Sequence, residues 1–246
     1  MLDLKNISWT APDGTKVLRD VSMTVPDGKL VVITGPNGGG KTTLARIIAG
    51  TERPSSGRIL LDGEDITGLD VTERAKKGVS FAFQQPVRFK GITVRNLINI
   101  AAGDSLDEKQ LCDILGNVGM CAMSYLNREV NATLSGGEIK RIEIATVLAR
   151  HTRLSVFDEP EAGIDMWSFK NLIGIFKKIR KDLNGSLIII SHQERILSIA
   201  DEIVMIADGT VKESGLKDET MSRVLSAGGI AALCRKEEEL FNERYN

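Results

Sequence analysis

The chain has 246 residues, 42% of them hydrophobic and 26% charged, the composition of an ordinary globular protein long enough to build a sizeable core. Its 32 basic and 33 acidic residues leave a net charge of −1, so nothing draws it toward nucleic acid or an anionic membrane. The longest apolar runs, such as Leu187–Ile190, fall far short of the roughly 20 residues that span a bilayer, and three cysteines without C-x-x-C spacing support neither a zinc site nor a disulfide framework. The start, Met1-Leu-Asp-Leu-Lys5, reads as strand and not as a signal peptide, which predicts a cytoplasmic location without membrane insertion.

In chain order, Leu2–Trp9, Lys16–Val25 and Arg58–Leu61 read as β-rich segments, with Pro-Asp-Gly turns at 12–14 and 26–28. Within this region the apolar run Leu30–Thr34 reads as a buried strand. It feeds Gly35-Pro36-Asn37-Gly38-Gly39-Gly40-Lys41-Thr42-Thr43 and then a helix over Thr42–Ala49. Strand, G-x-x-x-x-G-K-[ST] and helix start together form the Walker A context. Gly38, Gly39 and Gly40 admit backbone angles that a Cβ would block, so that N–H groups turn inward onto phosphate oxygens. The helix N-terminus adds unpaired N–H groups. Lys41 is expected at the β- and γ-phosphates, and the Thr42 hydroxyl on Mg²⁺.

A strand over Val79–Phe83 precedes Gln84, after which the pattern turns helical. Leu111, Ile114, Leu115 and Val118 share one helix face. Residues 87–150 read as a helical lobe inserted into a nucleotide-binding lobe made of 1–86 and 151–227, the whole forming one domain. Leu134-Ser135-Gly136-Gly137-Glu138 opens a helix over Glu138–Arg150, a second anion-ready helix start about a hundred residues after the first, with His151 as a polar cap at its end. Leu154–Phe157 then ends in Asp158-Glu159-Pro160, a Walker B pattern with Ser155 as a polar contact in an apolar strand. Asp158 is expected in the Mg²⁺ shell, and Glu159 as the group that polarises the attacking water. Helix Met166–Leu183, strand Ser186–Ser191, helix Glu194–Ala200 and strand Glu202–Ala207 follow, and Asp208-Gly209 turns into Thr210–Glu213. Strands alternating with helices predict a mainly parallel sheet covered on both faces. In the tail, Gly228–Asn246, Ile230, Leu233, Leu240 and Phe241 share a helix face, either a solvated amphipathic helix or a partner-binding one, with Cys234 as an apolar filler.

These motifs, in this order, resemble the ATP-binding cassette (ABC) family from Leu2 to about Gly215. The resemblance implies a phosphate-loop α/β fold: a mainly parallel core sheet, an antiparallel β subdomain and an inserted helical subdomain. It implies Gln84 as the Q-loop glutamine, touching nucleotide and Mg²⁺, and Asp165 in the D-loop Glu161–Asp165 at the nucleotide. It implies His192 as a γ-phosphate contact, with Lys41 and Glu159 completing the catalytic set. Ser135, Gly136 and Gly137 would close over the ATP of an opposing copy. An Mg²⁺-dependent ATPase working as an ATP-bridged homodimer follows. The family's adenine-stacking ring has no obvious counterpart, because Ala11 stands at that position; Trp9 is the nearest ring, either on adenine or in the core.

Ser135–Ile144 with Glu138 and Glu143, Gly163-Ile164-Asp165, Gln193–Leu197 and Phe81–Val87 resemble the SUF-system ATPase (SufC-like) of iron–sulfur cluster assembly, whose partners are SufB/SufD-type scaffolds. The alternative is the nucleotide-binding subunit of a membrane transporter, partnered with a permease. Glu143 reads as an ordinary exposed charge paired with Lys140.

Overall fold

The computed structural model describes residues 1–83, 89–131, 133–150, 152–182 and 185–227. The expectations for Gln84, His151, Cys234 and the tail 228–246 fall outside the described residues. Two strands, β1 (Leu2–Thr10) and β2 (Lys16–Val25), form a hairpin across Pro12-Asp13-Gly14. β3 (Leu30–Thr34) leads into α1 (Lys41–Ala49); β4 (Ser56–Leu61), β5 (Glu64–Asp65), α2 (Val71–Lys76) and β6 (Val79–Ala82) follow. Four helices then separate β6 from the next strand: α3 (Val94–Ala102), α4 (Glu108–Asn117), α5 (Ala122–Tyr125) and α6 (Gly136–Ala149). The chain continues through β7 (Leu154–Asp158), α7 (Met166–Asp182), β8 (Ser186–Ile190), α8 (Glu194–Leu197), β9 (Glu202–Ala207), β10 (Thr210–Leu216) and α9 (Lys217–Ala227).

The strands make two sheets. One is antiparallel, in the order β2-β1-β4-β5. The other runs β10-β9-β3-β8-β7-β6 and is parallel except for β10. Its inner strands are buried on both faces, and their alternating residues feed two cores. Leu30 and Val32 of β3, with Leu187 and Ile189 of β8, pack toward the helices α3, α4, α6 and α7. Val31 and Ile33, with Ile188 and Ile190, pack toward α1 and the antiparallel sheet. This is the expected architecture, a mainly parallel core sheet with an antiparallel β subdomain and an inserted group of helices.

One buried charge holds the helix that follows β3. Arg74 of α2 is fully buried and caps the C-terminal end of α1, donating to Ile47 O at 2.5 Å and Ile48 O at 2.9 Å. It also donates to Leu69 O at 3.1 Å and Thr67 O at 3.0 Å, so its guanidinium is spent on backbone oxygens. Burial pushes its pKa down to about 10, which leaves it charged at neutral pH.

Some boundaries differ from the sequence expectation. α6 begins at Gly136, ahead of Glu138, because Ser135 caps it. α8 stops at Leu197, before Ala200, since Ile199 and Ala200 make tight three-residue bonds to Ile196 O and Leu197 O. β10 runs past Glu213 to Leu216, paired with β9. Trp9 is partly buried and packs on the antiparallel-sheet core, the second of its two readings. Ser155 makes its polar contact inside the sheet, bonded to Thr152 Oγ1 at 2.7 Å and Ser80 Oγ at 3.2 Å.

Candidate nucleotide site

β3 lies between β9 and β8, and its C-terminal end delivers the loop 35–40 to the edge of the parallel sheet. Gly35 takes φ +132° and passes so close to Ile206 O that any Cβ would overlap it. Gly40, also at positive φ, is the N-cap of α1; it supplies no side-chain cap, and no acidic residue stands in the first turn. The first-turn N–H groups are therefore left for an anion. Lys41 is 5% exposed and spans the loop, donating to Gly35 O at 2.8 Å and Pro36 O at 2.9 Å. Burial holds its ammonium below the usual lysine range, against the opposing charges of Glu159 and Asp158.

Asp158, at the end of β7, is 2% exposed, and Thr42 Oγ1 lies 3.4 Å from its Oδ1. Burial raises its carboxyl above the usual range; the Thr42 bond opposes the rise and the Glu159 charge adds to it. A hydroxyl and a carboxylate converging beside a phosphate cradle are the hard oxygen donors that Mg²⁺ takes, so the residues fit the ion. Glu159 sits at φ +44°. The other non-glycine residues at positive φ among those described are Asn6, Asp20, Asp62 and Asp208, the short side chains that tolerate it. For a glutamate the conformation costs on the order of 1–3 kcal/mol and has to be held by its surroundings. Its N–H donates to Ile190 O at 3.0 Å, which ties the end of β7 to the end of β8.

His192 lies two residues past the end of β8, and the strand pairing brings that exit beside the Asp158–Glu159 end of β7. Ser191 is buried; its hydroxyl donates to Glu161 Oε1 and accepts the Gln193 N–H at 3.0 Å. Glu161 Oε2 is buried and has no hydrogen-bond partner among the described residues. Burial lifts its pKa to about 7; the Ser191 bond and Lys140 oppose the rise, and the Glu159 charge adds to it. The sequence reading placed Glu161 in the D-loop and gave it no task. A carboxylate two residues past the Walker B pair was the available signal.

The Ser135-Gly-Gly turn carries a capping box at its helix start, which uses the N–H groups of Ser135 and Glu138 and not those of Gly136 and Gly137. Ser135 Oγ accepts Glu138 N–H at 3.2 Å, while Glu138 accepts Ser135 N–H at 2.7 Å, a closed capping box. Tyr125 donates to Glu138 as well, and Arg128 lies 3.6 Å from it. Ser135 and Gly136 remain exposed. The turn packs on the D-loop: a Cβ on Gly136 would meet Gly163 O at 3.0 Å. No hydrogen bond among the described residues joins Ser135–Gly137 to the loop 35–43 of the same chain. Asp165 accepts from Ser168 N at 3.0 Å and Ser168 Oγ at 2.7 Å at the start of α7. Glu143 pairs with Lys140 at 2.8 Å as expected, but Lys140 is 2% exposed and donates to Phe83 O at 2.6 Å. Lys140 is buried and Glu143 is only partly exposed, so the reading of Glu143 as an ordinary exposed charge does not hold. Burial raises the Glu143 carboxyl above its usual range.

Residues 18–162, more than half of the chain, match the family model described as ABC transporter. The chain belongs to the ABC transporter family. It is an ABC ATPase, and ABC ATPases bind ATP with Mg²⁺. Among curated relatives, an uncharacterized ABC transporter ATP-binding protein of Methanocaldococcus jannaschii is 38% identical, the match covering 81% of this chain and 83% of the relative. Sulfate/thiosulfate import ATP-binding proteins of Synechocystis sp. and Chromobacterium violaceum are 33% and 35% identical over 88% and 85% of this chain. The chain spans only about 60% of their length (61% and 60%). The ADP conformation of an ATP-binding cassette from an ABC transporter superposes with TM-score 0.80 at 26% identity, covering 94% of this chain and 97% of that one. A dimeric cassette bound to ADP and Pi superposes with TM-score 0.78 at 23% identity, covering 88% and 99%, and bears on the fold alone. The relatives carry transporter names, which favours the transporter alternative over the SUF-like reading of the sequence. No helix among the described residues is long and apolar enough to cross a membrane.

Proposed function

We propose that this ABC ATPase is the ATP-hydrolysing subunit of a transporter, that two copies close head to tail over two ATP molecules, and that the closure is passed to a membrane permease. One observation carries the hydrolytic half: the open start of α1, the Thr42–Asp158 pair and the strained Glu159 converge at one end of the parallel sheet. Backbone N–H groups of residues 35–43 and the Lys41 ammonium grip phosphate oxygens. Thr42, Asp158 and Gln84 hold Mg²⁺, which when bound neutralises phosphate charge. Glu159 accepts a proton from the attacking water, and His192 contacts the γ-phosphate. Ser135, Gly136 and Gly137 of the second copy close the far side, with Asp165 at the seam. Hydrolysis removes the group that both copies grip, so the pair opens.

The partner face in this reading is a groove of about 290 Å³ between β6, α3 and α6, lined by Phe81, Phe89, Leu97, Ile142 and Val147 among others. Phe83, 44% exposed, and Ile100, 67% exposed, leave apolar surface at its rim. Phe83 directly precedes Gln84, so a permease helix seated there shares a loop with the nucleotide site.

Iron–sulfur cluster assembly on a SufB/SufD-type scaffold is the second reading. It rests on the sequence pattern; Glu143 of that pattern pairs with Lys140 at the edge of the same groove. Purifying the tagged protein with its bound partner separates the two. An integral membrane permease is expected; a soluble, cysteine-bearing scaffold would overturn the transporter reading in favour of the second.

A further inference from the structure

We infer that Glu161 is a positioning residue of the hydrolytic site: through Ser191, its carboxyl fastens the turn that carries Glu159 to the strand end that carries His192. Glu159 occupies a backbone conformation that needs outside restraint. Two of its restraints end on the same few residues of β8 and its exit. Glu159 N–H is held by Ile190 O, and Glu161 Oε1 is held by the Ser191 hydroxyl. Ser191 in turn accepts Gln193 N–H, and the Gln193 amide lies 3.3 Å from His192 Nε2. The base and the histidine are therefore set relative to each other by one short chain of contacts.

The charged groups acting on Glu161 are Glu159 on its own turn and Lys140 from α6 (itself paired with Glu143 and bonded to Phe83 O); His192 stands further along, at the Gln193 amide. Its carboxyl changes charge near neutrality, at about 7. The Ser191 bond is stronger to a carboxylate than to the neutral acid, so the fastening tightens as pH rises through that value. Oε2 takes the proton as pH falls.

The test is steady-state ATP turnover by the full chain with Mg²⁺ from about pH 6 to about pH 8.5. The wild type is expected to show a rising limb centred near 7, where the Glu161 carboxyl changes charge. Glu161→Gln keeps an acceptor for Ser191 and cannot ionise. It should keep turnover within about threefold at neutral pH and flatten the limb. Glu161→Ala should lower kcat at least about tenfold with little change in KM for ATP. Ser191→Ala should do the same, and the two losses should not add. Amide exchange at Glu159 and Gln193 reads the fastening without turnover, and both alanine variants should speed it. An unaltered limb in Glu161→Gln, additive losses, or unchanged exchange in the alanine variants would overturn the inference.

Discussion

The starts of α1 and α6 look alike in sequence, each a glycine-rich turn opening a helix, and they differ in the folded chain. α1 starts at a glycine without a side-chain cap and without an acid in its first turn. α6 starts at a serine locked in a capping box with Glu138, which Tyr125 and Arg128 also hold. A helix start is an anion site only where its N–H groups are unclaimed by its own side chains. The chain compensates at the other end of α1, where Arg74 clamps the last carbonyls. The open start suits the chain's own nucleotide, as proposed. The capped start presents exposed Ser135 and Gly136 outward, which suits a role toward a second copy.

Several substitutions break or sharpen this contrast. The largest effect is expected at the proposed base: Glu159→Gln should cut turnover about 10²–10⁴-fold while ATP still binds, read by turnover beside nucleotide binding. Moving the α6 pattern onto α1 comes next. Thr43→Glu puts an acid at the position that Glu138 holds in α6 and should weaken ATP binding at least about tenfold by repulsion of the phosphates, measured by titration calorimetry. If affinity were unchanged, the open start would not be the phosphate site. Arg74→Met strands the buried carbonyls of Ile47 and Ile48 and should cost about 3 kcal/mol, seen as a lower urea midpoint. Ser135→Ala should cost about 1 kcal/mol through the lost cap, with binding of ATP to the isolated chain untouched.

The phosphate loop, the Asp158-Glu159 pair, the strand alternation and the parallel sheet were legible because they rest on local patterns: glycine spacing, apolar runs and period-two burial. The capping box was also written in Ser135-Gly-Gly-Glu138, an S-x-x-E pattern, and it uses the N–H groups of Ser135 and Glu138 while leaving those of the two glycines out. Arg74, Lys140, Glu143 and Glu161 were not legible. A charged side chain is expected at the surface. Its burial is decided by partners far away in the chain, such as Ile47 O for Arg74, Phe83 O for Lys140 and Ser191 for Glu161. Glu159's backbone strain is equally invisible, since it follows from the bond to Ile190 on a neighbouring strand.

In the proposed pair the two helix starts meet across two chains. Its most direct test is the solution mass of the Glu159→Gln protein with Mg²⁺-ATP, with and without a second substitution, Ser135→Arg. The mass should double with ATP and not with ADP, and Ser135→Arg should abolish the doubling while each chain still binds ATP. A protein that stays monomeric with ATP bound, or that pairs regardless of Ser135→Arg, would contradict it.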